Sequence, residues 1–204
     1  MRRAVDLRGE LAVGRHALDA GRVQRVEELV RAHPRRAERL LELLWDDDAG
    51  VASRAADVFE RISRDASPAL GRVIAGFKDS LIGLLPEARF TKLRWNLAFA
   101  VPRLELSRAE ARRVAAALEG YLGDRSSIVK TAALQGLADL TRHDPARLPE
   151  VVELLQIKGR SGTPAMRARS RILLKRLTPA RGRGRGEPGT SCMADTLGGQ
   201  GEAI

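Results

Sequence analysis

Between Gly21 and Leu177 apolar residues recur at helical spacing, three or four positions apart, and Pro or Gly interrupts the pattern at Pro34, Gly50, Pro68, Pro86, Gly123, Pro145 and Gly162. This punctuation predicts helices over 21–32, 34–45, 49–65, 68–85, 88–104, 107–122, 125–142, 145–157 and 164–177.

The alternate helices resemble one another when Val51, Leu93, Val129 and Met166, separated by 42, 36 and 37 residues, are placed in register. Four positions on stand Ala55, Leu97, Ala133 and Ser170; eight on, Phe59, Val101, Leu137 and Leu174; eleven on, Ile62, Leu104, Leu140 and Leu177. These offsets fall on one face of an α-helix, so each such segment reads as the second helix of a repeating pair with its stripe turned inward. Asp48, Ser126 and Thr163, three positions before the register, suit an N-cap, whereas the remaining unit has Phe90 there.

Asp48…Val51…Ala55…Ile62 and Ser126…Val129-Lys130…Ala133…Leu140 resemble the second-helix signature of HEAT repeats. The resemblance spans roughly residues 34 to 177 and implies an all-α, armadillo-like architecture, an α-solenoid of about four helix pairs. The first helices are expected at Arg35–Trp45, Ala69–Leu85, Arg108–Leu122 and Ala146–Ile157, with helix 21–32 as an extra N-terminal capping helix. Residues 1–20 are expected to be poorly ordered or a short helix, 21–177 to form the repeat domain, and 178–204 to be a disordered tail rich in Arg and Gly.

Composition supports helix over sheet, since aromatic residues make up only 3% of the 204 residues. The single cysteine, Cys192, has no partner for an internal disulfide, which suits a reducing compartment and leads to an expectation of cytoplasmic localisation. Charges interrupt the first twenty residues, so no signal peptide is expected, and no run approaches the roughly 18 apolar residues of a membrane span.

The net charge of +10 is unevenly distributed: residues 158–186 carry 10 basic and no acidic side chains. Lys158, Arg160, Arg167, Arg169, Arg171, Lys175 and Arg176 on or near the last predicted helix are therefore candidate polyanion contacts. Arg181, Arg183 and Arg185 continue the charge in three Arg-Gly steps without interleaved aromatics. In HEAT-like solenoids the second helices line a concave face used for partners, and by that resemblance Arg54, Arg61, Arg94, Trp95 and Lys130 are candidate contacts for a protein partner, with Arg103 nearby. Trp95 suits the centre of such a surface because Trp and Arg are enriched at binding hot spots.

The sequence carries no catalytic constellation. His16, His33 and His143 show no metal-ligand spacing, no Gly-rich phosphate loop occurs, and the acidic cluster Asp46-Asp47-Asp48 after Trp45 fits a cap and a solvated turn. Certain alkylpurine DNA glycosylases are similar in architecture, with aromatics and an acidic residue near the lesion. Here Asn96 follows Trp95 with no carboxylate nearby in its helix, and no catalytic residue carries over. The expectation is a non-enzymatic interaction module that binds a protein on its concave face, without cofactor, metal or small-molecule substrate. The alternative is a nucleic-acid-binding repeat protein that uses the basic C-terminal helix and tail.

Overall fold

Helix boundaries follow capping chemistry in a computed structural model that describes residues 5–14 and 19–178. Asp48 accepts hydrogen bonds from the N–H groups of Gly50 and Val51, Ser67 from Leu70, and Thr163 from Met166. Ser107 and Glu110 form a reciprocal capping box. Each satisfies donors that the first helical turn leaves unpaired. Ser126 departs from expectation: its hydroxyl makes no capping hydrogen bond, and Asp124 takes the Ser126 N–H at 2.7 Å in a local turn.

The described residues form helices α1 (Leu7–Ala12), α2 (Val23–Ala32), α3 (Arg36–Glu42), α4 (Ala49–Ile62), α5 (Pro68–Gly76) and α6 (Lys78–Glu87). They continue with α7 (Thr91–Ala100), α8 (Arg108–Tyr121), α9 (Ser127–Leu140), α10 (Leu148–Ser161) and α11 (Pro164–Leu177). Short 3-10 turns follow α3 at Leu43–Trp45 and α7 at Val101–Arg103, and precede α10 at Pro145–Arg147. Among these residues there is no strand, and no helix is long and apolar enough to cross a membrane.

Several helix ends lie a few residues from the sequence reading, α10 for instance running from Leu148 to Ser161, and the region around Pro86 differs more. The segment predicted as one helix over 68–85 is two, separated at Phe77 directly after Gly76, a residue whose backbone freedom disfavours helix continuation. Pro86 does not end the helix; it lies in the last turn of α6, which runs on to Glu87. The short helix α1 lies within the N-terminal segment, whereas the tail beyond Thr178, including Arg181, Arg183, Arg185 and Cys192, lies outside the described residues, as does His16.

The helices pack in pairs, α3 on α4, α6 on α7, α8 on α9 and α10 on α11. Second helices also pack on one another in chain order, α4 on α7, α7 on α9 and α9 on α11, with α2 against α4 at the beginning. Helix α1 joins α2 and covers α4. Enclosed on so many sides, α4 buries polar positions along with its stripe: Ser53, Arg54 and Glu60 are all interior.

The predicted stripe residues Val51, Ala55, Phe59, Ile62, Leu93, Leu97, Val101, Val129, Ala133, Leu137 and Leu140 are buried, and Leu104 is partly so. In α11 the stripe narrows. Met166, Ser170 and Leu173 are buried while Leu174 and Leu177 are half-covered, this helix packing among the described elements chiefly on α9 and α10. Gly136 fixes how closely α7 and α9 approach: a Cβ there would stand 2.6 Å from the Ala98 carbonyl oxygen and 2.7 Å from Leu118 Cδ1.

Candidate interaction surface

The face of the second helices opposite their partners is built by a register offset from the buried stripe. Six positions beyond the register residues lie Asp57, Phe99, Gln135 and Ile172; ten beyond lie Arg61, Arg103, Asp139 and Arg176. At about 100° per residue these two sets lie within about 40° of each other around each helix, as do the residues one before the register, including Ile128. The face is therefore mixed. Ile128 and Ile172 are 53% and 60% exposed, while Trp95 and Phe99 are half-buried against the core.

Most of its charge is paired between neighbouring helices. Arg61 reaches Glu27 of α2 at 3.5 Å, Lys92 of α7 meets Asp57 of α4 at 3.0 Å, and Arg103 meets Glu60 at 2.9 Å. Further along, Arg176 of α11 pairs with Asp139 of α9 at 2.8 Å, and Arg169 donates to Gln135 at 3.2 Å. These contacts neutralise the face and tie successive second helices together.

The structure separates the candidates chosen from sequence. Arg61 and Trp95 stand on this face. Arg54 does not: it is 2% exposed, and its guanidinium donates to the Leu11 carbonyl under α1, a burial that sequence spacing did not reveal because α1 was not placed. Arg94 also turns away, pairing with Asp124 at 2.8 Å and donating to the carbonyls of Ala88 and Arg89. Lys130 occupies the equivalent position on α9, about 140° around the helix from Gln135, and is half-buried. Sequence reasoning missed Phe99, Ile128 and Ile172, although the same register, read at its outward offsets, marks them.

The candidate polyanion residues divide likewise. Arg169 and Arg176 are engaged with α9 as described, and Arg167 donates to the Gly162 carbonyl at 2.9 Å. Lys158 and Arg160 lie in the last turn of α10, where cations complement the helix dipole. Arg171 and Lys175 are exposed and form no ion pair with a described acid.

The acidic cluster is structural. Asp46 pairs with Arg8 at 2.7 Å, a hydrogen bond that holds its carboxyl below the ordinary range, Asp47 meets Arg89 at 3.0 Å, and Asp48 caps α4. A cleft of about 910 Å³ opens where the turns before α7 and α9 meet, lined by Thr91, Arg94, Tyr121, Asp124, Arg125 and Ser126. Three of its polar side chains are engaged with the protein: Arg94 pairs with Asp124, and the Tyr121 hydroxyl donates to the Leu85 carbonyl, with burial pushing the phenol above its usual value. Among the described residues no three His, Cys, Asp or Glu side chains converge to hold a metal ion.

No protein-family model matches this chain, and no curated protein matches it. A crystal structure described as an engineered protein of the Northeast Structural Genomics Consortium is similar in fold, with a TM-score of 0.58 over 78% of this chain and 71% of that one. At 20% identity the likeness is one of fold alone.

Proposed function

We propose that the chain is a non-enzymatic interaction module working in the cytoplasm: four HEAT-like helix pairs stacked as an α-solenoid, with α1 and α2 covering its first end and a protein partner bound on the open face of the second helices. The observation that carries this reading is the order of packing, α4 to α7 to α9 to α11, which leaves one shared face with two well-exposed isoleucines and paired charge. Such a face resembles a partner-binding surface in combining exposed apolar side chains, here at the α9 and α11 end, with polar surroundings.

A second reading, nucleic-acid binding by the last helix pair, draws on Arg171 and Lys175, whose charge no described acid offsets. Salt separates the two. Affinity capture with the chain as bait, with and without nuclease and at rising salt, tests them together. The protein reading expects a partner retained after nuclease digestion and only modest weakening by salt. Recovery of nucleic acid alone, lost steeply with salt, would replace it with the second reading.

A further inference from the structure

The last second helix differs from its predecessors on the side that each turns to the next. Five positions beyond the register stand Ala56, Ala98 and Leu134, all fully buried, and then Arg171; nine beyond stand Glu60, Pro102 and Ala138, all buried, and then Lys175. Both cations are exposed. This side of α11 therefore lacks the apolar surface that α9 presents to α11, and it carries charge that no described acid balances.

Beside it stands Ile172, 60% exposed, the most exposed large apolar side chain among the described residues. By helical geometry Lys175 flanks it on one side and Arg176 on the other, Arg176 being held by Asp139 at 2.8 Å. Ala168, one turn back, is too small to cover it. On the neighbouring helix Ile128, 53% exposed, occupies the same face, and a hydrogen bond between Ser127 and Thr163 at 2.7 Å holds the starts of the two helices together. Isolated exposed apolar residues are ordinary on protein surfaces. The two isoleucines stand on adjacent parallel helices, Ile172 about seven residues, roughly 10 Å, further along the axis than Ile128, and Arg171 and Lys175 edge the surface beside Ile172.

We infer that this part of the face docks an acidic amphipathic segment of a protein partner, which covers Ile128 and Ile172 with apolar side chains and sets carboxylates against Arg171 and Lys175. The inference rests on the protein-binding reading above and names the chemistry of the partner. Charge complementarity selects an acidic ligand, and the isoleucines select a peptide over a nucleic acid. Bases bind sequence-tolerant surfaces by stacking on aromatic rings, and aliphatic side chains offer neither stacking nor a phosphate contact. The aromatics of the face, Trp95 and Phe99, are half-buried against the core.

Fluorescence anisotropy with the full chain tests this, using a labelled helical peptide of Asp and Glu with two Leu residues seven apart, on one face and two turns from each other. The controls are the same peptide with both Leu changed to Ser and a single-stranded oligonucleotide of equal charge. The leucine peptide should bind the parent about tenfold more tightly than the serine peptide, Ile172→Ser should cut that advantage to about threefold, and Ile128→Ser with Ile172→Ser should remove it. Arg171→Glu with Lys175→Glu should weaken both peptides. Melting temperatures of the variants, whose altered side chains are exposed, should match the parent. Equal affinity for the two peptides, indifference to Ile172→Ser, or oligonucleotide binding as tight as the leucine peptide would each overturn the inference. A protein captured after nuclease treatment and still held by the Ile172→Ser, Arg171→Glu, Lys175→Glu bait would overturn it while leaving the protein-binding reading intact. Capture of nothing but nucleic acid by the parent would remove both.

Discussion

Lys92 of α7 places its ammonium 3.0 Å from the Asp57 carboxylate of α4, with the lysine side chain only 7% exposed, so two successive second helices are joined by a largely desolvated ion pair. Removing one partner strands a buried charge, whereas replacing both by apolar residues removes the desolvation penalty as well. Asp57→Ala should destabilise the fold by roughly 2–4 kcal/mol, and Lys92→Met with Asp57→Leu should cost much less than the single change. Chemical denaturation of the single and double variants reads both values.

Close approach between α7 and α9 gives a second expectation. Ala usually stabilises a helix relative to Gly by about 1 kcal/mol, but Gly136→Ala should be destabilising, because the new Cβ meets the Ala98 carbonyl, a backbone atom that cannot turn aside. Ala133, fully buried in the same helix, should likewise resist enlargement, with Ala133→Phe costing about 1–3 kcal/mol. An unchanged midpoint for either variant would contradict the packing described for α9.

Acid sensitivity should have an assignable component at the start of α8. Hydrogen bonds from Lys78 and from the backbone and hydroxyl of Ser107 pull the Glu110 pKa from 4.5 down to about 2. A depressed carboxyl contributes stability that is present above the unfolded value and is lost as pH falls through the folded one. Glu110→Gln should therefore flatten the fall in melting temperature between about pH 4.5 and pH 2. Ser107→Ala, which removes the other half of the capping box, should cost about 1 kcal/mol at neutral pH.

The cations of α11 should differ in what they contribute to folding. Arg171→Gln with Lys175→Gln should leave stability within about 0.5 kcal/mol of the parent, because neither residue is engaged with a described acid. Arg54→Ala should be much more damaging. Its guanidinium is interior and supports the Leu11 carbonyl, so truncation leaves that acceptor unpaired, at a cost of about 1–3 kcal/mol before lost packing is counted. Thermal denaturation of the two variants side by side tests the contrast.

The repeating stripe was legible from sequence because burial imposes periodicity: Val51, Ala55, Phe59 and Ile62 recur as Val129, Ala133, Leu137 and Leu140, and all eight are buried. Capping at Asp48 and Thr163 was legible for the same local reason. Long-range contacts were not. Whether an arginine beside the stripe faces solvent depends on what lies across from it. Arg54 meets α1, Arg94 meets Asp124 and Arg176 meets Asp139, and none of these pairings leaves a mark in spacing. Charge counted along the chain therefore exaggerated the basic character of the folded surface. The break at Phe77 escaped notice because the apolar rhythm of Leu70, Ile74, Leu81 and Leu85 continues across it.

The most direct measurement is hydroxyl-radical footprinting of the full chain, free and bound to a protein partner captured after nuclease treatment. Ile128, Ile172 and Trp95 report on the second-helix face, while Trp45, 44% exposed after α3, and Ile157, 43% exposed on α10, report on the first helices. Partner binding on the open face should protect the first group from oxidation and leave Trp45 and Ile157 at their free rates. Protection of Trp45 or Ile157 with Ile128 and Ile172 unchanged would place the partner on the other layer and contradict the account.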